Sequence, residues 1–235
     1  MPVVDVVWGM NGLLAAEESA AVVIVDVLSF STSVDAACSR GAHVFPFRWN
    51  DSRVRDYASS VGARVAAQRQ DDTRGVPSLS PPTLLKLGAG DRLVLPSPNG
   101  STLSTASAAG CTITACLRNV GAVANHLDRN NKPIGVTIVA AGERWPDGSL
   151  RVALEDHIGA GALSAQLAGN KTSEALAAEA VFGAARDRLG EILARSMSGQ
   201  ELIGRGFAQD VAFASMLNCS ETVPILRNGA YSMHS

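Results

Sequence analysis

The segment AVVIVDVLSFSTSVDAA, residues 21–37, restricts the possible folds more than any other part of the chain. Val22, Val23, Ile24 and Val25 are consecutive β-branched residues, and such an unbroken apolar run suits a strand covered on both faces of a parallel sheet. Asp26 follows, and then Ser29, Ser31, Thr32 and Ser33, hydroxyl residues able to cap the helix that Val34 to Cys38 continues. The order is strand, polar turn, helix start. Open α/β sheets bind ligands outside the carboxyl ends of their strands, where helix N-termini offer free N–H groups to anions. Asp26 is therefore either a turn cap or the first candidate for chemistry.

A chain of 235 residues that is 46% hydrophobic can bury a large core, as one α/β domain over residues 1–235 or as two closely joined α/β halves. The net charge of -2 and the absence of a long Lys/Arg block give no reason to expect nucleic acid or a membrane surface as partner. No apolar run approaches the roughly 18 residues that span a bilayer, and MPVVDVVWGMNG lacks the basic start of a signal peptide, so a cytoplasmic location is expected. Cys38, Cys111, Cys116 and Cys219 form no CxxC pair, which argues against a metal site or disulfide framework. Among the histidines only His157 has acidic neighbours, and a structural or exposed role is expected for each.

Read in order, Val3 to Val7 is a strand, and Glu17 to Ser19 is a polar link to the strand at Val22. The helix after Asp26 is expected to end at Gly41 and to lead into a strand over Ala42 to Phe47, which makes a βαβ unit. A helix over Asp51 to Gly62, a short strand over Ala63 to Ala67 and a polar loop from Gln68 to Gly75 come next. Leu93 to Leu95 is another buried strand, and Pro98-Asn99-Gly100 turns into a helix from Ser101 to Ala109. A glycine followed by the hydroxyls of Ser101 and Thr102 allows backbone N–H groups to approach an oxyanion, although Asn-Gly is also an ordinary turn. Thr112 to Ala115 is a strand, and Asn119 suits the N-cap of a helix over Val120 to Leu127. Ile134 to Ala140 is a strand that delivers Glu143 and Arg144 to its carboxyl end. A helix over Leu150 to Leu167 is expected to bury Val152, Leu154, Ile158 and Leu163, with Glu155 and Asp156 on a solvated face. A long helix over Thr172 to Met197, a capping box from Ser198 to Glu201 and a strand over Val223 to Leu226 complete the reading.

Several stretches together resemble the ComB-like 2-phosphosulfolactate phosphatases. These are VVIVDVLSFSTS (22–33), SPNGSTL (97–103), CLRNVGAVANHL (116–127), AAGERWPDGSLRVALEDHIGAGAL (140–163) and GFAQDVAFASMLNCSETVP (206–224), in the family's order. The resemblance implies a three-layer α/β/α fold with a mainly parallel sheet and a Mg²⁺-dependent phosphatase. Its substrate would be a small phosphorylated organic acid, 2-phosphosulfolactate, and the family's best-known setting is coenzyme M biosynthesis. Two differences stand out. Ser29 occupies a position where the family often has Arg, and the central segment is short, with Ser78-Leu79-Ser80-Pro81 in place of a longer motif.

With that resemblance in view, Asp26 together with Glu155 or Asp156 can supply the oxygen ligands that Mg²⁺ prefers. Ser29, Ser31, Thr32, Asn99, Gly100, Ser101 and Thr102 are the candidates for substrate binding, and Glu143 and Arg144 join Asp26 as catalytic candidates, Arg144 against transition-state charge. Asp26 is alternatively a nucleophile. The haloacid dehalogenase pattern is absent, because Leu28 stands where its second Asp belongs. An Asp26→Asn variant is expected to stay folded through the amide's turn hydrogen bonds. A homodimer is the base-rate expectation. The rival reading is a catalytically impaired family member that binds an anionic metabolite or a protein partner, motivated by Ser29 and the short central segment.

Overall fold

A computed structural model describes residues 2–16, 21–48, 51–69, 76–129 and 135–233. In chain order the elements are β1 (Val3–Trp8), α1 (Gly9–Leu14), β2 (Ala21–Val25), α2 (Phe30–Cys38), β3 (His43–Phe47), α3 (Arg53–Ser60), β4 (Arg64–Val65) and α4 (Pro81–Leu84). Then come β5 (Arg92–Pro96), α5 (Gly100–Ala106), β6 (Thr112–Ala115), α6 (Val120–Arg129), β7 (Gly135–Ala140), β8 (Glu143–Arg144), β9 (Leu150–Arg151) and α7 (Leu154–Ser164). The chain continues through β10 (Asn170–Lys171), α8 (Ser173–Ala185), α9 (Leu189–Arg195), α10 (Met197–Gly204), α11 (Ala208–Ala214), β11 (Pro224–Arg227) and β12 (Ala230–Met233).

Alternation along β2 shows why the fold has three layers. Val23 and Val25 pack with Ile138 of β7 and with α6, α7 and α8, whereas Val22 and Ile24 pack with Val139, Leu13 of α1 and Leu103 of α5. Both faces of the strand are thus buried, as its β-branched run requires. At about 1.5–3 kcal/mol for each fully buried Val or Ile, this one strand is a principal source of stability. A second sandwich repeats the arrangement: Val44, Leu93 and Leu95 face α2 and α4, and Phe45 and Val94 face α3.

The sheet runs in the order β10-β1-β7-β2-β6-β11-β12-β3-β5-β4. β10, β1, β7, β2 and β6 pair in parallel, and so do β3, β5 and β4. Between these two parallel blocks lies the antiparallel hairpin β11–β12, which touches β6 through Ile225 and Ile113 and touches β3 through Tyr231 and Val44. The expected βαβ unit does not form, because the partners of β3 are β12 and β5 rather than a strand of the first block. Helix α2 bridges the blocks instead. Its far end is tied by Asp35, whose carboxylate accepts from Arg118 Nε at 2.9 Å and from the Ser220 hydroxyl.

Several local expectations are corrected. The hydroxyls after Asp26 do not cap α2: Ser31 Oγ donates to Ile24 O and Thr32 Oγ1 to Val27 O, so both point back at the strand. Asn119 accepts from Cys116 N behind it, not from the first turn of α6. The stretch expected to be helical from Leu150 first forms the β8–β9 hairpin, closed by Trp145 N donating to Ser149 O, and α7 starts only at Leu154. Val152 and Leu154 are consequently exposed, while Ile158 and Leu163 are buried. The long helix over 172–197 breaks at a 3₁₀ turn, Arg186–Arg188, and again at Ser196, whose hydroxyl caps α10 by accepting from Gly199 N. The helix after Asn99 ends at Ala106, and α1 and β12 are additional elements. Glu17 to Ser19, most of the loop after Gln68, Ile134 and His234 lie outside the described residues.

Helix α7 carries two acids to the sheet because small residues let it approach closely. A Cβ on Gly161 would lie 2.0 Å from the backbone oxygen of Ala178 in α8, a contact that no side-chain rotation relieves. Gly161→Ala is expected to cost about 1–3 kcal/mol through forced separation of α7 and α8. Gly183→Ala, on α8 with open space around it, should instead gain about 0.5–1 kcal/mol from lower backbone entropy. Urea midpoints of the two variants, moving in opposite directions, check both statements.

Candidate functional site

Asp26 leaves the end of β2 and turns its carboxylate toward the backbone. Oδ1 accepts from Ser29 N at 3.1 Å and Phe30 N at 3.2 Å, and Oδ2 accepts from Gly100 N at 2.9 Å. The first two bonds cap α2 in place of the serine hydroxyls. The third joins the carboxyl ends of the two parallel blocks, since Gly100 opens α5 just after β5. Only glycine fits there, because a Cβ would meet the Phe30 ring 2.2 Å away. Burial pushes the Asp26 carboxyl above its ordinary pKa, the bonds from Phe30, Gly100 and Ser29 work in the opposite direction, and nearby Glu155 adds to the rise.

The acids of α7 are buried rather than solvated. Asp156 Oδ1 accepts from Val27 N at 2.7 Å and Oδ2 from Gly142 N at 2.9 Å, so this side chain fixes the turns after β2 and β7. Its pKa is raised well above the ordinary value, first by burial and then by the charges of Asp26 and Glu155. Glu155 is 2% exposed, and its Oε2 has no hydrogen-bond partner among the described residues. His157 stands edge-on to Trp8 at 5.5 Å between ring centroids, a packing role.

Two adjoining cavities share Asn99 and Glu143 in their linings. The smaller, about 200 Å³, is lined by Asp26, Ser29, Ser33, Arg69, Leu79 and Pro98 among others. The larger, about 370 Å³, contains Thr102, Arg144, Trp8 and Leu150. Asn99 Nδ2 donates to Glu143 Oε2 at 2.8 Å. Burial and then the charge of Asp26 push the Glu143 carboxyl up to about 7, against the Asn99 bond and the Arg151 charge, so it can exchange a proton near neutral pH.

The sequence candidates therefore separate. Asp26, Ser29, Asn99 and Glu143 meet at the smaller cavity. Thr102 and Arg144 line only the larger one, and Arg144 is exposed, with Nη1 donating to Gly148 O. Ser31 is committed to a β2 carbonyl and Thr32 to the Val27 carbonyl just after it, and Ser101 Oγ donates to Leu95 O. With the Gly100 N–H also given to Asp26, the Asn-Gly turn has less to offer an anion than its glycine and hydroxyls suggest. Arg69 was hidden within a polar run that reads as a loop, and no spacing in the sequence marks it.

For a divalent cation, the donor set is hard oxygen: Asp26, Glu155 and Glu143 share one electrostatic neighbourhood, and Glu155 Oε2 is a buried acceptor without a donor. Among the described residues no three Asp, Glu, His or Cys side chains converge as a complete cage. Mg²⁺ ordinarily takes one or two carboxylates and keeps waters, so the residues fit that ion better than a fully protein-ligated one. Asp156 is the weakest candidate: its oxygens accept backbone N–H groups, as those of Asp26 do, but unlike Asp26 it lines neither cavity.

Comparison with known proteins finds relatives over most of the chain. A family model described as 2-phosphosulpholactate phosphatase matches residues 12–229. The "2-phosphosulfolactate phosphatase" of Methanothermobacter thermautotrophicus is 29% identical over 215 residues, covering 91% of this chain and 89% of the relative. A Carboxydothermus hydrogenoformans protein named "Probable 2-phosphosulfolactate phosphatase" is 32% identical over 232 residues, covering 94% and 92%. One of the same name from Gloeobacter violaceus is 34% identical over 137 residues, covering 58% and 56%. With the match extending over nearly the whole chain and including every residue of the carboxylate site, the chain belongs to the 2-phosphosulfolactate phosphatase family of phosphoric monoester hydrolases.

Proposed function

We propose that the chain hydrolyses the phosphate ester of a small 2-hydroxy acid, 2-phosphosulfolactate in keeping with its family, and that it requires Mg²⁺. The observation that carries this reading is Glu143, a carboxyl pushed up to about 7 and oriented by Asn99 on the wall it shares with Asp26. Asp26 and Glu155 would hold the ion. When bound, it supplies Lewis-acid polarisation of the phosphoryl oxygens and neutralises their charge. Glu143 orients a water and takes its proton as the oxygen bonds to phosphorus, while the ester bond to phosphorus breaks and its oxygen leaves with the sulfolactate, taking up a proton from solvent to become the hydroxyl. Asp26 serves better as a fixed charge than as a nucleophile, because three backbone N–H groups already engage its two oxygens.

Phosphate release from 2-phosphosulfolactate and related phospho-acids tests the reading directly. Release with Mg²⁺, loss with EDTA and recovery on adding Mg²⁺ back are expected, and no release from any of these esters would sink it. Calorimetry then distinguishes the rival: tight binding of the phospho-acid without turnover marks a catalytically impaired binder.

Asp26→Asn is expected to lower turnover by at least about a hundredfold, the scale for losing a principal charge partner in phosphoryl transfer. It should also be less stable than the parent, while staying folded as expected from the sequence. An amide nitrogen must face at least one N–H donor, leaving it unsatisfied at about 1–3 kcal/mol. Turnover is therefore measured well below the variant's melting temperature, and a folded variant with near-normal turnover returns Asp26 to a purely structural role.

The pH dependence follows from Glu143. Its folded pKa lies above the ordinary 4.5, so the folded state holds the extra proton and stability falls as pH rises from there through about 7. In EDTA, the melting temperature of Glu143→Gln relative to the parent should rise between pH 5 and pH 8; a constant difference would show an ordinary carboxylate. In the parent enzyme kcat/KM should drop on the acid side as Glu143 takes up its proton, and Glu143→Gln should lose about a hundredfold or more.

A further inference from the structure

We propose that Arg69 and Ser33 form an anion subsite in the smaller cavity, which receives the second acidic group that sets phosphosulfolactate apart from phospholactate, its sulfonate, while the phosphate lies toward Asp26. This rests on the phosphatase reading for the identity of the substrate, but the subsite itself stands on two orphaned donors. Ser33 is 1% exposed and lines the cavity, and its Oγ has no hydrogen-bond partner among the described residues. Arg69 lines the same cavity, and its Nη2 is likewise buried without a partner among the described residues. Native proteins pair nearly all such groups, and each exception needs an explanation such as an ion that is not present.

The guanidinium is aimed rather than loose. Arg69 Nε donates to Asp210 Oδ2 at 2.9 Å, and Asp210, itself 1% exposed, accepts from the Ser80 hydroxyl through its other oxygen. The side chain of Arg69 is only 13% exposed. One edge of the fork is thereby fixed against α11, which leaves the unpaired Nη2 for an oxyanion at the cavity that Arg69 lines, the group by which arginine recognises planar or tetrahedral oxyanions. Ser33 sits on α2, one turn beyond Ser29, which lines the same cavity as Arg69, so the positive charge there comes from the segment after β4. The short run at Ser78 to Ser80 contributes the support through Ser80, which gives that segment a purpose in the site.

Two conservative variants test the subsite without emptying the cluster. Arg69→Lys keeps a cation for Asp210 and removes the forked second donor, and Ser33→Ala removes a hydroxyl that has no partner to lose. Inorganic sulfate titrated by calorimetry, in Mg²⁺, reads the subsite independently of turnover. The expected result is sulfate binding by the parent that weakens at least tenfold in Arg69→Lys and at least threefold in Ser33→Ala. No sulfate binding by the parent, or equal binding by all three proteins, overturns the subsite even if phosphatase activity is found. If the parent turns over phospho-acids, its preference for phosphosulfolactate over phospholactate in kcat/KM should shrink at least tenfold in Arg69→Lys, with the loss falling on KM. An unchanged preference shows that Arg69 does not read the second acid group.

Discussion

Buried carboxylates that accept backbone N–H groups hold this protein's site together. Asp26 and Asp156 between them take five such bonds, from Val27, Ser29, Phe30, Gly100 and Gly142. Those five amides belong to the turns after β2, β5 and β7. Each carboxylate would be costly to bury alone, and charge-assisted bonds from fixed amides offset that cost in a way that water, once excluded, cannot. The geometry is strict because an amide or a hydroxyl in the same place presents a donor where only acceptors fit.

The same arrangement divides labour among acids that look alike in the sequence. Asp156 has both oxygens committed and acts as a clamp. Asp26 is committed too but still borders a cavity. Glu155 keeps a free buried oxygen, and Glu143 has one oxygen held by Asn99 and a proton affinity near neutrality. Crowding these groups raises the cost of charging any of them, which makes the site ready to accept either protons or a cation.

Much of the α/β pattern was legible because its strands are short runs of β-branched residues bounded by polar turns, Val22 to Val25 above all. The strand-end carboxylates Asp26 and Glu143 and the Asn-Gly turn could be read for the same reason: they directly follow such runs. Pairing was not legible. Nothing within β2, α2 or β3 reports that a hairpin from residues 224–233 intervenes between the two parallel blocks. The burial of Asp156 was hidden because its partner Val27 is 129 residues away, and a local reading of an acid pair on a helix favours solvent. Leu150 and Val152 fit a helical stripe as well as a strand, so the β8–β9 hairpin was lost in an apparent helix. Hydroxyl direction is similarly invisible: Ser31 and Thr32 can cap a helix or bond the preceding strand, and only packing decides.

The hairpin β11–β12 also has a meaning for the way the chain is made. It is the last of the described elements to leave the ribosome, yet it occupies the middle of the sheet. Before it arrives, β6 and β3 each present an open edge, and open edges invite pairing with the wrong strand or another chain. The long sequence separations that close the sheet also make this a slow step in folding. A nascent chain that already contains Asp26, Gly100, Glu143 and Asp156 thus has every acid and amide of the site but not the strands that hold its two halves in register, so any interruption of synthesis before residue 224 leaves two sticky half-sheets in place of an enzyme.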